Sequence, residues 1–145
     1  MVSIQNRYSL LCRQFDTDWA KLSVMEDMPL LAFLPLAVGL LSGKDPGDVT
    51  PDGTRRSATP TPGGRIMPQM FKAVAAYPGM AARHGLDPRQ KALAFCRSRP
   101  VPVIPIPGAA TTAQLAATLG AAGLVLSDEV QAEIAAAHRA FPAPF

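Results

Sequence analysis

Two apolar segments, each breaking off into a glycine-marked turn and then a helical stretch, restrict this chain more than any other feature. The first is Leu30 to Leu34, followed by a turn and short helix over Pro35, Leu36, Ala37, Val38 and Gly39 and then by Ser42-Gly43-Lys44. The second is Val103 to Ile106, followed by Pro107-Gly108 and a helix from about Thr112 to Gly120. Continuous apolarity over Leu30 to Leu34, without alternation, suits a strand covered on both faces, as in a parallel sheet. A strand that runs into a helix aims the backbone N–H groups of a positive helix terminus at whatever lies beyond its end. Two such units therefore predict an α/β fold with a site for an anionic cofactor at the strand ends.

The rest of the chain reads as βα units of the same kind. Val2 to Gln5 predicts a short first strand. Phe15 to Met25 predicts a helix with Asp16 or Thr17 near its N-cap and Trp19, Leu22 and Met25 on one face. From Ser42 to Arg65 the composition turns to Gly, Pro, Thr, Asp and Arg with no apolar period, the pattern of a long functional or disordered loop. A helical pattern resumes near Pro68 with Met70, Val74 and Tyr77, and Pro78-Gly79 is expected to kink or split it. Gly85 stands as a C′ glycine, and Asp87-Pro88-Arg89-Gln90 reads as N-cap, first-turn proline and capping-box glutamine of a helix running to about Arg97. Pro102, Pro105 and Pro107 require the third strand, Val103 to Ile106, to be short or at an edge. Ser127 caps a last helix whose Val130, Ile134 and Ala137 face inward. Strands alternating with helices predict right-handed βαβ crossovers and one open parallel sheet of three strands in a single domain over residues 1–145.

Composition removes several function classes. The formal charge of +3 is spread along the chain, so no basic stripe marks a nucleic-acid partner. The apolar run Leu30 to Leu41 is too short and too punctuated to cross a bilayer, and no leader pattern opens the chain, so no membrane partner and a cytoplasmic location are expected. Cys12 and Cys96 sit in unrelated contexts and read as free thiols, and no Cys/His spacing suggests a metal.

The segments Ser3-Ile4-Gln5-Asn6-Arg7-Tyr8-Ser9-Leu10-Leu11, Leu30 to Lys44 and Val103 to Leu115, in this order, resemble the later barrel strands of the aldo/keto reductase family. At 145 residues the chain is well short of the ~250 of a complete eight-stranded α/β barrel. The resemblance therefore implies the C-terminal portion of a (β/α)8 TIM barrel, with residues 42–65 as its long loop. It also implies NADP(H) as cofactor, and as family reaction the reduction of a carbonyl by hydride transfer.

The resemblance assigns cofactor roles residue by residue. Gln5, which alone reads as a strand-end surface residue, matches the glutamine that touches the nicotinamide carboxamide. Phe33, which alone reads as core, matches an aromatic stacked on the nicotinamide ring. Leu34 departs from the usual serine, so it has only backbone to offer the phosphates, and Pro35, Leu36, Ala37 and Val38 form the turn that cradles the pyrophosphate. Lys44 matches a phosphate-contacting lysine, and Arg55 an arginine folded over the same region. Gly108 allows close backbone approach. Ala110 and Gln114 match the adenosine end, but Ala110 replaces a polar or basic residue, and Ala117 and Thr118 replace a Glu-Asn pair. Weakened NADP(H) binding and a blurred preference over NAD(H) follow.

The family's catalytic tyrosine, lysine, aspartate and histidine belong to earlier strands. Tyr8, Tyr77, His84 and His138 match none of them, so no catalytic residue is assigned. His84 reads as an imidazole at a helix end, and His138, beside Arg139, as solvated. The chain is expected to be a truncated, cofactor-side piece of a reductase, inactive by itself. Its open sheet edges would pair with the missing N-terminal half or with a second copy. The alternatives are a non-catalytic nucleotide- or protein-binding module and a decayed fragment.

Overall fold

The computed structural model describes residues 2–43 and 68–142. Three parallel strands, β1 (Ile4–Arg7), β2 (Leu30–Phe33) and β3 (Val103–Ile106), form one sheet in the order β1-β2-β3. Ile4 pairs with Leu30 and Leu30 with Val103, and at the other end Arg7 pairs with Phe33 and Phe33 with Ile106. The proline-bearing β3 is short and has one partner among the described residues, as its missing donor requires.

Among the described residues five helices accompany the sheet: α1 (Asp18–Met25), α2 (Pro68–Arg83), α3 (Pro88–Arg97), α4 (Thr112–Leu119) and α5 (Asp128–Ala140). Two 3-10 turns, Gln14–Asp16 and Ala37–Ser42, precede α1 and follow β2. The core lies between the sheet and the helices: Leu30 and Ala32 of β2 meet Phe95 and Cys96 of α3, Met70, Val74 and Tyr77 of α2, and Val130 and Ile134 of α5.

The caps follow the local chemistry. Asp87 accepts from the N–H groups of Arg89 and Gln90, Thr111 from Gln114, and Ser127 from Val130. Gly85 is left-handed at φ 62°, and the N–H of Leu86 donates to the Ala81 carbonyl, the Schellman closure of α2.

Three expectations are corrected, and one orientation that the sequence left open is settled. The helix from Pro68 is not split, since α2 runs through Pro78 and Gly79. Met70, Ala73, Val74, Tyr77, Met80 and Ala81 are buried on both sides of the proline, and that shared packing offsets its lost hydrogen bond. Gln90 does not close a capping box; its Nε2 donates to the Ala117 carbonyl at 3.1 Å and ties α3 to α4. The Trp19, Leu22 and Met25 stripe points outward: Trp19 is 50% and Met25 70% exposed, and the buried residue of α1 is Ser23.

Among the described residues the sheet is also covered on one face only. Leu30 and Ala32 are buried, whereas Ile104 and Ile106, on the opposite face, are 52% and 46% exposed. Register places Gln5, Leu31 and Ile104 in one row of that open face, and Arg7, Phe33 and Ile106 in the next. Apolarity on both sides of a strand records two surfaces to be covered, and here the helices cover one.

Candidate functional site

Because Phe33 and Ile106 are register partners, the chain leaves β2 and β3 at the same end of the sheet and on adjacent strands. The turn after β2 and the Pro107–Thr111 loop before α4 are thus neighbours, which is the arrangement expected from sequence. Gln5 and Phe33 lie on the same open face, in successive rows of adjacent strands, with Gly108 two residues beyond the last β3 position.

The turn after β2 is strained. Leu34, Ala37 and Val38 have φ of 56°, 47° and 54°, in the left-handed region that non-glycine residues rarely adopt, and Gly39 and Gly43 follow at 98° and 75°. For β-branched Val38 this is a true outlier. The geometry is held by backbone bonds from the Ala37 N–H to the Leu34 carbonyl and from the Gly39 and Leu41 N–H groups to the Leu36 carbonyl, and by burial of Pro35, Ala37, Leu40 and Leu41. Such strain concentrates where a ligand or a switch requires it.

The loop after β3 is tied to the helix it starts. Gln114 Oε1 accepts from the Ala110 N–H at 2.9 Å, and Thr111 Oγ1 accepts from the Gln114 N–H at 3.2 Å. A Cβ on Gly108 would meet nothing within 4 Å, so the space beside this backbone is open. Thr118 is buried, and its hydroxyl donates to the Gln114 carbonyl at 2.8 Å. The structure therefore gathers Gln5, Phe33, Leu34, Pro35, Leu36, Ala37, Val38, Gly108, Ala110 and Gln114 around one end of the sheet, and turns Thr118 into the helix layer. Lys44 and Arg55, with the 44–65 part of the long loop, lie outside the described residues.

Arg7 joins the site. A strand ending at Gln5 leaves it in a loop, whereas the observed β1 carries it into the terminal row beside Phe33. The only signal was the alternation of Gln5 with Arg7, since the apolar pattern does not extend that far.

The tyrosines belong to the helix side. Tyr8 is fully buried, its ring is stacked on Phe95 with centroids 5.9 Å apart, and its hydroxyl donates to Asp16 at 2.6 Å; burial and the Asp16 charge push its pKa up. Tyr77 donates to the Leu10 carbonyl at 3.2 Å, and burial pushes it up to about 12. Lys91, fully buried, donates to the Tyr77 carbonyl at 2.6 Å and not to its phenol, and desolvation lowers its pKa to about 8. His84 pairs with Glu133 at 2.8 Å. His138 is not solvated as expected: it is partly buried, its Nδ1 is sealed without a partner, and desolvation lowers its pKa. Cys12 and Cys96 are free thiols, and burial pushes Cys96 up to about 12. Among the described residues no helix is long and apolar enough to cross a membrane.

Comparison with known proteins agrees with this geometry. The model of the Aldo/keto reductase family matches residues 1–139. Protein tas of Escherichia coli (strain K12) is 42% identical over 146 residues, covering 99% of this chain and 42% of that protein. An uncharacterized oxidoreductase of Mycobacterium tuberculosis (strain ATCC 25618 / H37Rv) is 32% identical over 141 residues, covering 97% of this chain and 43% of that protein. The solved glycerol dehydrogenase of Gluconobacter oxydans superposes with a TM-score of 0.77 at 25% identity, over 99% of this chain and 44% of its own. The chain thus spans about two fifths of the length of the curated relatives it matches.

Proposed function

The chain belongs to the aldo/keto reductase family, and on that premise we propose that its three strand ends are the cofactor side of an NADP(H)-dependent carbonyl reductase. The observation that carries this reading is the register of Phe33 with Ile106, which sets the strained turn after β2 beside the glycine loop after β3. The bound nicotinamide would supply a hydride to a carbonyl carbon.

This chain's residues would bind and orient. Phe33 offers an aromatic face on the open side of the sheet, with Gln5 one row away to receive and donate hydrogen bonds at the carboxamide. Backbone of the 34–38 turn and the α4 N-terminus favours negative charge. Residues fit the phosphate region in two respects, the left-handed turn and the open space at Gly108. They fit the adenosine end poorly: Leu34 and Ala110 have no polar side chain, Gln114 is engaged with Ala110, and Thr118 with Gln114. A small difference between NADPH and NADH affinity is therefore expected.

The phenols of Tyr8 and Tyr77 are turned into the helix layer, which favours binding without reduction by residues 1–145 alone. Family chemistry then needs further strands, paired to the open edges of β1 and β3.

Titration of NADPH and NADH fluorescence with the protein tests the reading. Saturable binding of both, with less than about a tenfold preference, is expected, tenfold being ~1.4 kcal/mol. Gly108→Asp, whose Cβ has open space and which adds a negative charge at the loop, should weaken NADPH binding by at least tenfold. Absence of nucleotide binding, or indifference to this substitution, would sink the proposal.

A further inference from the structure

Away from the strand ends, two guanidinium groups converge on one carboxylate oxygen. Arg13 Nε donates to Asp16 Oδ2 at 3.0 Å and Arg99 Nη2 reaches the same oxygen at 3.2 Å, while Asp16 Oδ1 accepts from Tyr8. Both cations also lie against Phe95, with Cζ 4.8 Å and 5.5 Å from the ring centroid. The Arg13 side chain is 10% exposed and that of Arg99 27%.

One negative charge is thus set against two positive ones at a partly buried position. His138 lies within reach of these charges: burial is the main cause that lowers its pKa, and Arg13 and Arg99 add to it while Asp16 opposes them. Asp16 is likewise the carboxylate acting on Tyr8 and on Cys96. Three buried polar atoms here, Arg13 Nη1, Arg99 Nε and His138 Nδ1, have no hydrogen-bond partner. Buried donors without acceptors and a surplus of like charge are both costly, and a second anion removes both costs.

We infer that Arg13 and Arg99, beside His138, form a binding site for a small oxyanion of the phosphate class, which satisfies the orphaned guanidinium N–H groups and balances the second guanidinium. Planar guanidinium forks match such an anion in geometry. The partly exposed Arg99 is the side through which it enters.

The test is thermal unfolding of the full chain in inorganic phosphate against chloride at equal ionic strength. Binding predicts a saturable rise in Tm of about 2–4 °C once phosphate exceeds its Kd roughly fivefold. Arg99→Met should abolish the rise, whereas Lys21→Gln, an exposed cation elsewhere, should keep it. That comparison removes the general stabilising effect of phosphate. Asp16→Asn, which removes the competing negative charge, should enlarge the rise, and it keeps the test decisive if Arg99→Met does not fold. No phosphate-specific rise, an equal rise in Arg99→Met, or a smaller one in Asp16→Asn overturns the inference.

Discussion

Lys91 shows how a single side chain can burden a fold. It is fully buried, holds one hydrogen bond to the Tyr77 carbonyl, and its pKa is lowered from 10.5 to about 8, chiefly through desolvation. Below pH 8 both folded and unfolded chains keep the proton, and the folded state bears the whole burial cost. Between pH 8 and 10.5 the unfolded chain still holds a proton that the folded one has released, so this residue's contribution to stability improves as pH rises. Cys96, pushed up to about 12, acts oppositely above pH 9, because the unfolded thiol ionises first. The difference between the wild type and Lys91→Met isolates the lysine. Denaturant unfolding should find Lys91→Met more stable at pH 7 by about 1–2 kcal/mol, with the gap closing from pH 8 to 10. An unchanged gap would show that the ammonium reaches water. None of this was legible in sequence, where Lys91 is one polar residue in a helical window; its burial follows from what α2 and α3 place around it.

At the scale of elements, sequence chemistry was most readable at helix ends, because caps are local. Asp87, Thr111, Ser127 and Gly85 serve as their types dictate. The C-terminus of α1 obeys the same rule with a less suitable residue. Asp27 stands left-handed at φ 48° in a Schellman closure, with the Met28 N–H on the Ser23 carbonyl at 2.9 Å. Asp27→Gly should therefore raise stability by about 0.5–1 kcal/mol, read as a higher urea midpoint at unchanged m. The orientation of α1 was less readable: helical spacing groups Trp19, Leu22 and Met25 but does not say which side that group faces. Likewise Pro78 forbids a local hydrogen bond, yet α2 continues because residues on both sides of it are packed into one core.

For the whole molecule, the open sheet face and the outward α1 stripe are one statement about unmet burial. Ile104, Ile106, Trp19 and Met25 leave apolar surface in water, and β1 and β3 each have a sheet partner on one side only among the described residues. Such surfaces and edges seek partners. Sedimentation should show association that grows with concentration, and Ile104→Lys combined with Ile106→Lys should reduce it without lowering helix content. A wild type that stays monomeric across the range would refute this. Supplying the earlier strands of the fold as a second polypeptide should suppress self-association, since parallel βα units fit both edges and cover the same face.

By itself the sequence determined three βα-type strand segments, their direction, most caps and the family, because periodicity, turn chemistry and short motifs are properties of neighbours along the chain. Only the tertiary structure decided that one sheet face is open, that Arg7 shares a row with Phe33, and that Arg13 and Arg99 crowd a single carboxylate. Burial and charge balance depend on residues far apart in the chain, and no local pattern encodes which of them will meet.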